Sequence, residues 1–275
     1  FGTRDDYTFR DGVRKASNQK PSKRNAFRYD DRPEAPPPKD WRHYVPDQQI
    51  YNKGGPVDDT DTILRFNDYQ IQGLFLHRPL QFNALNQELS SALLRQMRGV
   101  HINPNVSLVL LSGASEYAFC TGVDYVEMYK HLKANREADA IRTLREATKA
   151  SYYTSTNGAR VLAVLNGDAR GGGIGMCTWA NYSSITPASR LLFNETSFGY
   201  IPDSGASYVL SVLEHQHPGL GKYLALSNGK FEAEDIFKSG LAKHVFNPLE
   251  LNGMLDTIAE SYSQELGDID HIIKQ

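Results

Sequence analysis

Cysteine is scarce: Cys120 and Cys177 are the only two in 275 residues, far apart and each in apolar surroundings. Two such residues build neither a disulfide framework nor a thiolate metal site, and they fit a reducing compartment. No run of about 18 apolar residues occurs, so no segment reads as a membrane-spanning helix. The glycine-rich stretch at 171–175 has no Lys-Ser/Thr after it and no GxGxxG pattern, which removes the P-loop and the dinucleotide fingerprint. The pair of imidazoles in EHQH (Glu214–His217) lacks a third and fourth ligand at workable spacing. A solvated helix end is therefore expected there, and no metal site. The chain starts at Phe1 rather than Met, which reads as a processed or trimmed product, and no targeting peptide is legible.

Charge is present but unevenly placed. Residues 1–55 hold 12 Lys/Arg against 8 Asp/Glu, while the chain as a whole is net −2. Seven basic residues, Arg10, Arg14, Lys15, Lys20, Lys23, Arg24 and Arg28, face a single acid, Asp11, in that stretch. Residues 1–56 show neither helical nor alternating periodicity, and the prolines of RPEAPPPKDW oppose helix and favour extended backbone. This segment is expected to be an extended basic arm that does not fold by itself, followed by one domain over residues 57–275. A merely soluble tail is the plainer reading of its composition. The sharper one is an arm held on a partner surface, its cations on phosphates and its aromatics (Tyr7, Phe9, Phe27, Tyr29, Trp41) stacked or pocketed.

Beyond the arm the pattern turns regular. TILRFND and QIQGLFLH read as strands joined at Asn67-Asp68, and NQELSSALLRQMRGVH as a helix with Asn86 at its N-cap. VSLVLLSG and ARVLAVLNG read as buried strands, YSSIT and RLLF as short ones. Helices are expected over VDYVEMYKHLKA, EADAIRTLREATKASYYT, GASYVLSVLEH, LGKYLALSN and EAEDIFKSG, then a strand at LAKHVF and a helix from Pro248. Strand–strand–helix units in this order suggest a layered α/β spiral rather than a doubly wound nucleotide fold. Tyr152, Tyr153 and Trp179 read as core or groove wall, and Cys120 as a small core residue.

Three glycines, Gly171–Gly173, sit where a buried strand turns into a helix. Bare backbone N–H groups with a helix dipole behind them make an anion site or an oxyanion hole; close helix–sheet packing explains the glycines equally well. Three further segments share the chain with them: HRPLQFNALN (His77 to Asn86), SEYAFCTGVD (Ser115 to Asp124), and LLFNETSFGYIPDSG, which carries Glu195 and Asp203.

In order and spacing these four segments resemble the crotonase (enoyl-CoA hydratase/isomerase) superfamily from about Asp61 onward, and within it the 3-hydroxyisobutyryl-CoA hydrolases. The resemblance implies a ββα spiral. Hydratases of the family carry a Glu where this chain has Gly175, as the hydrolases do. By resemblance, the N–H groups of Val123 and Gly172 polarise a thioester carbonyl, Glu195 is nucleophile or base, and Asp203 steers water or protons. No cofactor is implied; an acyl-CoA thioester is the substrate. Three departures stand out: Val123 where the family prefers Gly or Ala, Asn194 in place of proline before Glu195, and DSGAS after the proline. Arg170 also sits beside the glycines. The hydrolases continue past the point matching Gln275 with helices that help close the site, so the resemblance implies a wetter, electrostatically weaker site here.

Hydrolase-like crotonases also occur as resident subunits of the mitochondrial ribosome, in its small subunit. Two functions therefore stand: a structural subunit in the mitochondrial matrix, touching ribosomal RNA and neighbouring proteins through the arm, or a mitochondrial acyl-CoA hydrolase. Fold alone does not separate them; the arm and the departures lining the site favour the first.

Overall fold

The computed structural model describes residues 62–246 apart from 69 and 116, together with 257. The arm, with Arg10, Arg14, Lys15, Lys20, Lys23, Arg24 and Arg28, lies outside the described residues, as does all but Thr257 of the helix expected from Pro248.

The first unit is an antiparallel pair of strands in a large sheet followed by a helix; the next ones lay one strand in the large sheet and one in a small sheet before turning into helix. The large sheet has six strands in the order β1 (Ile63–Asp68), β2 (Ile71–Leu76), β3 (Leu108–Gly113), β5 (Arg160–Leu165), β7 (Tyr182–Ile185) and β10 (His244–Val245). The small sheet orders β4 (Ala118–Cys120), β6 (Asp168–Arg170), β8 (Arg190–Leu192) and β9 (Lys230–Glu232). Only β1–β2 and β8–β9 pair antiparallel; every other pairing is parallel. This is the α/β spiral the sequence pattern suggested. Parallel central strands are covered on both faces, which explains the unbroken apolar run of β3.

The helices are α1 (Gln87–His101), α2 (Tyr125–Lys133), α3 (Glu137–Thr156), α4 (Gly172–Thr178), α5 (Ala206–Gln216), α6 (Leu220–Ser227) and α7 (Ala233–Lys238). α1 begins where Asn86 accepts a hydrogen bond from the Leu89 N–H at 2.9 Å, the expected cap. It buries Leu89, Leu93, Met97 and Val100 in a core shared with Leu74 and Leu76 of β2, Leu111 of β3 and Ala163 of β5. Leu74, Leu111 and Ala163 are register partners across three strands, so they share one face of the sheet. Fully burying each large apolar side chain is worth about 1.5–3 kcal/mol.

Two expectations shift. Asn67 and Asp68 are not a turn: both pair in β1, Asp68 opposite Ile71. Tyr152 is not core but 57% exposed on α3, whereas Trp179 is half-buried with its ring edge against Tyr208 at 4.6 Å. Among the described residues no helix is long and apolar enough to cross a membrane.

Candidate functional site

Gly171 is the pivot of the site. Its φ of 46° lies in the left-handed region that only glycine enters freely, and it stands at the N-cap of α4. A methyl group built on it would come 3.1 Å from Oδ1 of Asp203 and 3.5 Å from Oε1 of Glu195. Both carboxylates therefore crowd one backbone position. Glu195 opens a short 3₁₀ turn, Glu195–Phe198, and is 2% exposed. The loop closes when the Tyr200 N–H donates to the Glu195 carbonyl at 3.0 Å. Asp203 ends that loop, its own carbonyl accepting from the Ala206 N–H at 2.8 Å as α5 begins. Next to it Ser204 takes a φ of 44°, and its hydroxyl meets that of Thr148 on α3 at 3.1 Å.

The second turn of the site lies against the first. Gly122, at φ 79°, packs so closely that an added Cβ would sit 2.9 Å from the Arg170 carbonyl, and Gly122 Cα is 3.7 Å from the corresponding point on Gly171. Val123, 2% exposed and part of the central core cluster, bridges Leu85 in parallel fashion. That bridge uses the Gly122 carbonyl, which accepts from the Leu85 N–H at 2.7 Å, and the Asp124 N–H, which donates to Leu85 at 3.0 Å. Val123's own N–H serves neither bond. Gly172, at the first position of α4, likewise keeps an N–H without an intrahelical acceptor. Among the described residues nothing takes up either N–H. The structure thus brings the turns of Val123 and Gly172 together, with Glu195 and Asp203 beside them.

The other glycines of the motif are packing devices. A Cβ on Gly173 would lie 2.1 Å from the Cys120 carbonyl, and one on Gly175 2.4 Å from the Ser204 carbonyl. No side chain fits at 175 without displacing the segment that carries Asp203. Cys120 is fully buried, and burial pushes its thiol up to about 12, so it is inert core as expected.

The electrostatics of the pair are set by burial. Against the wetter site that the resemblance implied, none of the four carboxylate oxygens has appreciable contact with solvent, and none makes a hydrogen bond of normal geometry with a described residue. Each acid's own backbone N–H, and after it the Gly171 N–H for Glu195 and the Tyr200 hydroxyl for Asp203, only moderate the result. Burial, and then the charge of Glu195, carries Asp203 up to about 7; burial likewise raises Glu195 above the usual carboxylate range. The charge of Arg170 offsets part of the rise at Glu195 without cancelling it. Its guanidinium pairs with Asp168 at 3.1 Å, and Asp168 also holds Arg190 at 2.6 Å.

Three aromatic residues that the sequence reading did not single out complete the site. Tyr125, the first residue of α2, lies 5.0 Å from Phe198 and 5.2 Å from Tyr200, ring centre to ring centre. Both tyrosine hydroxyls are held above their ordinary pKa by burial and by the nearby Asp203. The only sequence signal for this wall was the FGY inside NETSFGYIPD. Arg78 ties two of the motif segments together, pairing with Asp124 at 3.2 Å and donating to the Ala84 carbonyl. Among the described residues no group of His, Cys, Asp and Glu could hold a metal ion.

Comparison with known proteins gives this geometry a context. Residues 71–275 match the model of a family described as enoyl-CoA hydratase/isomerase. The 3-hydroxyisobutyryl-CoA hydrolase-like protein 1, mitochondrial, of Arabidopsis thaliana is 33% identical over 64% of this chain and 43% of its own length. The small ribosomal subunit protein mS47 of the same plant is 29% identical over 79% of this chain and 51% of its own. The chain thus spans about half the length of the curated relatives it matches. Among solved structures, an enoyl-CoA hydratase from Bacillus anthracis superposes with a TM-score of 0.64 at 24% identity, covering 74% of this chain and 77% of that one, a likeness of fold.

Proposed function

Since the chain belongs to the enoyl-CoA hydratase/isomerase family, we propose that it is a hydrolase-like crotonase serving as a structural subunit of a mitochondrial ribosomal particle, its thioester site closed. The relatives support both halves of this reading. One carries the name of a small ribosomal subunit protein, another that of a mitochondrial hydrolase-like protein. The observation that carries the choice between them is the state of the carboxylates. All four oxygens of Glu195 and Asp203 are shut from solvent, against Gly171 and near the Tyr125–Phe198–Tyr200 wall. A thioester carbonyl has to reach such a group before it can react.

The active reading keeps one specific observation in its favour. Glu195 and Asp203 remain together at Gly171, beside the free N–H groups of Val123 and Gly172. In that reading the two N–H groups bind the carbonyl oxygen of an acyl-CoA thioester. Glu195 either takes a proton from the attacking water or attacks the carbon itself, forming an anhydride that water then hydrolyses to the free acid; the C–S bond breaks, and Asp203 relays the proton that releases CoA as a thiol. No cofactor enters.

The two readings separate in an assay of the full chain with 3-hydroxyisobutyryl-CoA. The structural reading gives turnover well below the enzymatic range of ~1–1,000 per second. Turnover within that range, abolished by Glu195→Gln, establishes the hydrolase. In the structural reading the contacts belong to the arm, through Arg10 to Arg28, and to whatever surface of the body meets the particle.

A further inference from the structure

The outer face of α3 carries a row of cations that the thioester site does not use. Arg142, Arg145 and Lys149 are exposed, and none makes an ion pair or hydrogen bond with another described side chain. At about 100° per residue they fall, with Tyr152, within an arc of about 80°, and they climb the helix at about 1.5 Å per residue. Arg142 to Lys149 thus spans about 10 Å along one stripe.

The acids that ordinarily neutralise such a row are committed elsewhere. Glu146, at the i+4 position from Arg142, turns to α1, accepting from Gln87 Nε2 at 2.9 Å and from the Ser91 hydroxyl. Asp139 lies 4.0 Å from Arg136, and with Glu137 it occupies the first turn, where negative charge suits the helix dipole. The stripe ends in Tyr152, 57% exposed, its ring edge-on to Tyr153 at 6.1 Å. This happens on an acidic body: residues after the arm carry 18 Lys/Arg against 24 Asp/Glu. An uncompensated cationic row on such a body is a local feature and not a general basic coat.

We propose that the outer face of α3 binds an RNA phosphate backbone through Arg142, Arg145 and Lys149, with Tyr152 offering a ring to an adjacent base or ribose. The inference rests on the ribosomal reading for its partner, though not for its chemistry. Three long cationic side chains, with exposed Ile141 the one aliphatic side chain at the edge of the stripe, suit phosphates, which accept from Arg and Lys while an aromatic stacks beside them. They do not suit the centre of a protein interface, where Lys is depleted and apolar area concentrates. The stripe lies on a helix of the body, more than a hundred residues along the chain from the basic cluster at Arg10–Arg28.

The test uses the full chain, a ~20-base-pair RNA hairpin and a single-stranded oligouridylate, with binding measured over a series of salt concentrations. In the triple variant Arg142→Ala, Arg145→Ala, Lys149→Ala, three lost phosphate contacts lower the slope of log K against log salt by about 2. Affinity at low salt falls at least about tenfold, while the circular-dichroism melt stays that of the wild type. The exchange Arg142→Lys, Arg145→Lys, Lys149→Arg keeps the slope. Unchanged slope and affinity in the triple alanine variant would overturn the proposal, as would a wild-type chain that binds neither RNA. Displacement of RNA by polyglutamate of equal charge would also overturn it, pointing to an acidic protein partner. Sedimentation of the chain with ribosomal particles reports separately on the ribosomal reading. A chain that sediments free yet loses its slope in the variant leaves the α3 site standing.

Discussion

Asp203 and Glu195 are two acids raised by the same burial, and that fixes a sign. A group whose folded pKa lies above its unfolded value binds more protons in the folded state, so stability is full at low pH and is lost as pH rises. For Asp203 the window runs from the ordinary carboxylate range near 4 to about 7. Asp203→Asn is therefore expected to match the wild type in stability near pH 3.5, below the window, and to exceed it by more than ~1 kcal/mol at pH 8, above it, one pKa unit being worth about 1.4 kcal/mol. Chemical denaturation at the two pH values checks this; a difference that shrinks as pH rises contradicts the burial argument. At this scale the sequence disclosed the carboxylates and the glycine between them, through motif order. It did not disclose the Tyr125–Phe198–Tyr200 wall. Aromatic residues have no spacing rule when they come from two separate segments, and their convergence depends on how the 3₁₀ turn after Glu195 meets the start of α2.

Elements of six residues or more were readable, because the central strands β3 and β5 are near-continuous apolar runs, β1 and β2 are apolar runs broken by few polar residues, and the long helices show an apolar face. The three-residue strands β4, β6 and β9 were not, since so short a segment carries no alternation to detect. The small sheet therefore emerged only in the structure, although β4 and β6 lead into the two turns of the site. The close contact of α4 with the loop after Asp203 makes a prediction at this scale. Gly175→Glu, which restores the residue that hydratases carry, drives a side chain into the Ser204 carbonyl, 2.4 Å from an ideal Cβ. It is expected to destabilise by at least the ~1–3 kcal/mol of an overpacked core and to confer no hydratase activity. A variant melting at the wild-type temperature would refute the packing account. At α1, Asn86→Ala removes the bond to the Leu89 N–H and is expected to cost about 0.5–2 kcal/mol, read from the denaturation midpoint.

On the scale of the whole molecule, an acidic body of crotonase sequence follows a basic N-terminal segment. Composition made that asymmetry visible, and residue order made the family visible. Neither could reveal whether the carboxylates still meet solvent, because exposure depends on tertiary packing around Gly171. The central claim is that the chain lives in a ribosomal particle, and one measurement tests it most directly: sedimentation of the native chain from a mitochondrial extract through a sucrose gradient. At physiological salt it is expected to migrate with the small ribosomal subunit and to leave that peak as salt rises, each phosphate contact releasing counterions. A chain found only at the top of the gradient at physiological salt, migrating as a small free species, would contradict the account and return the hydrolase reading to first place.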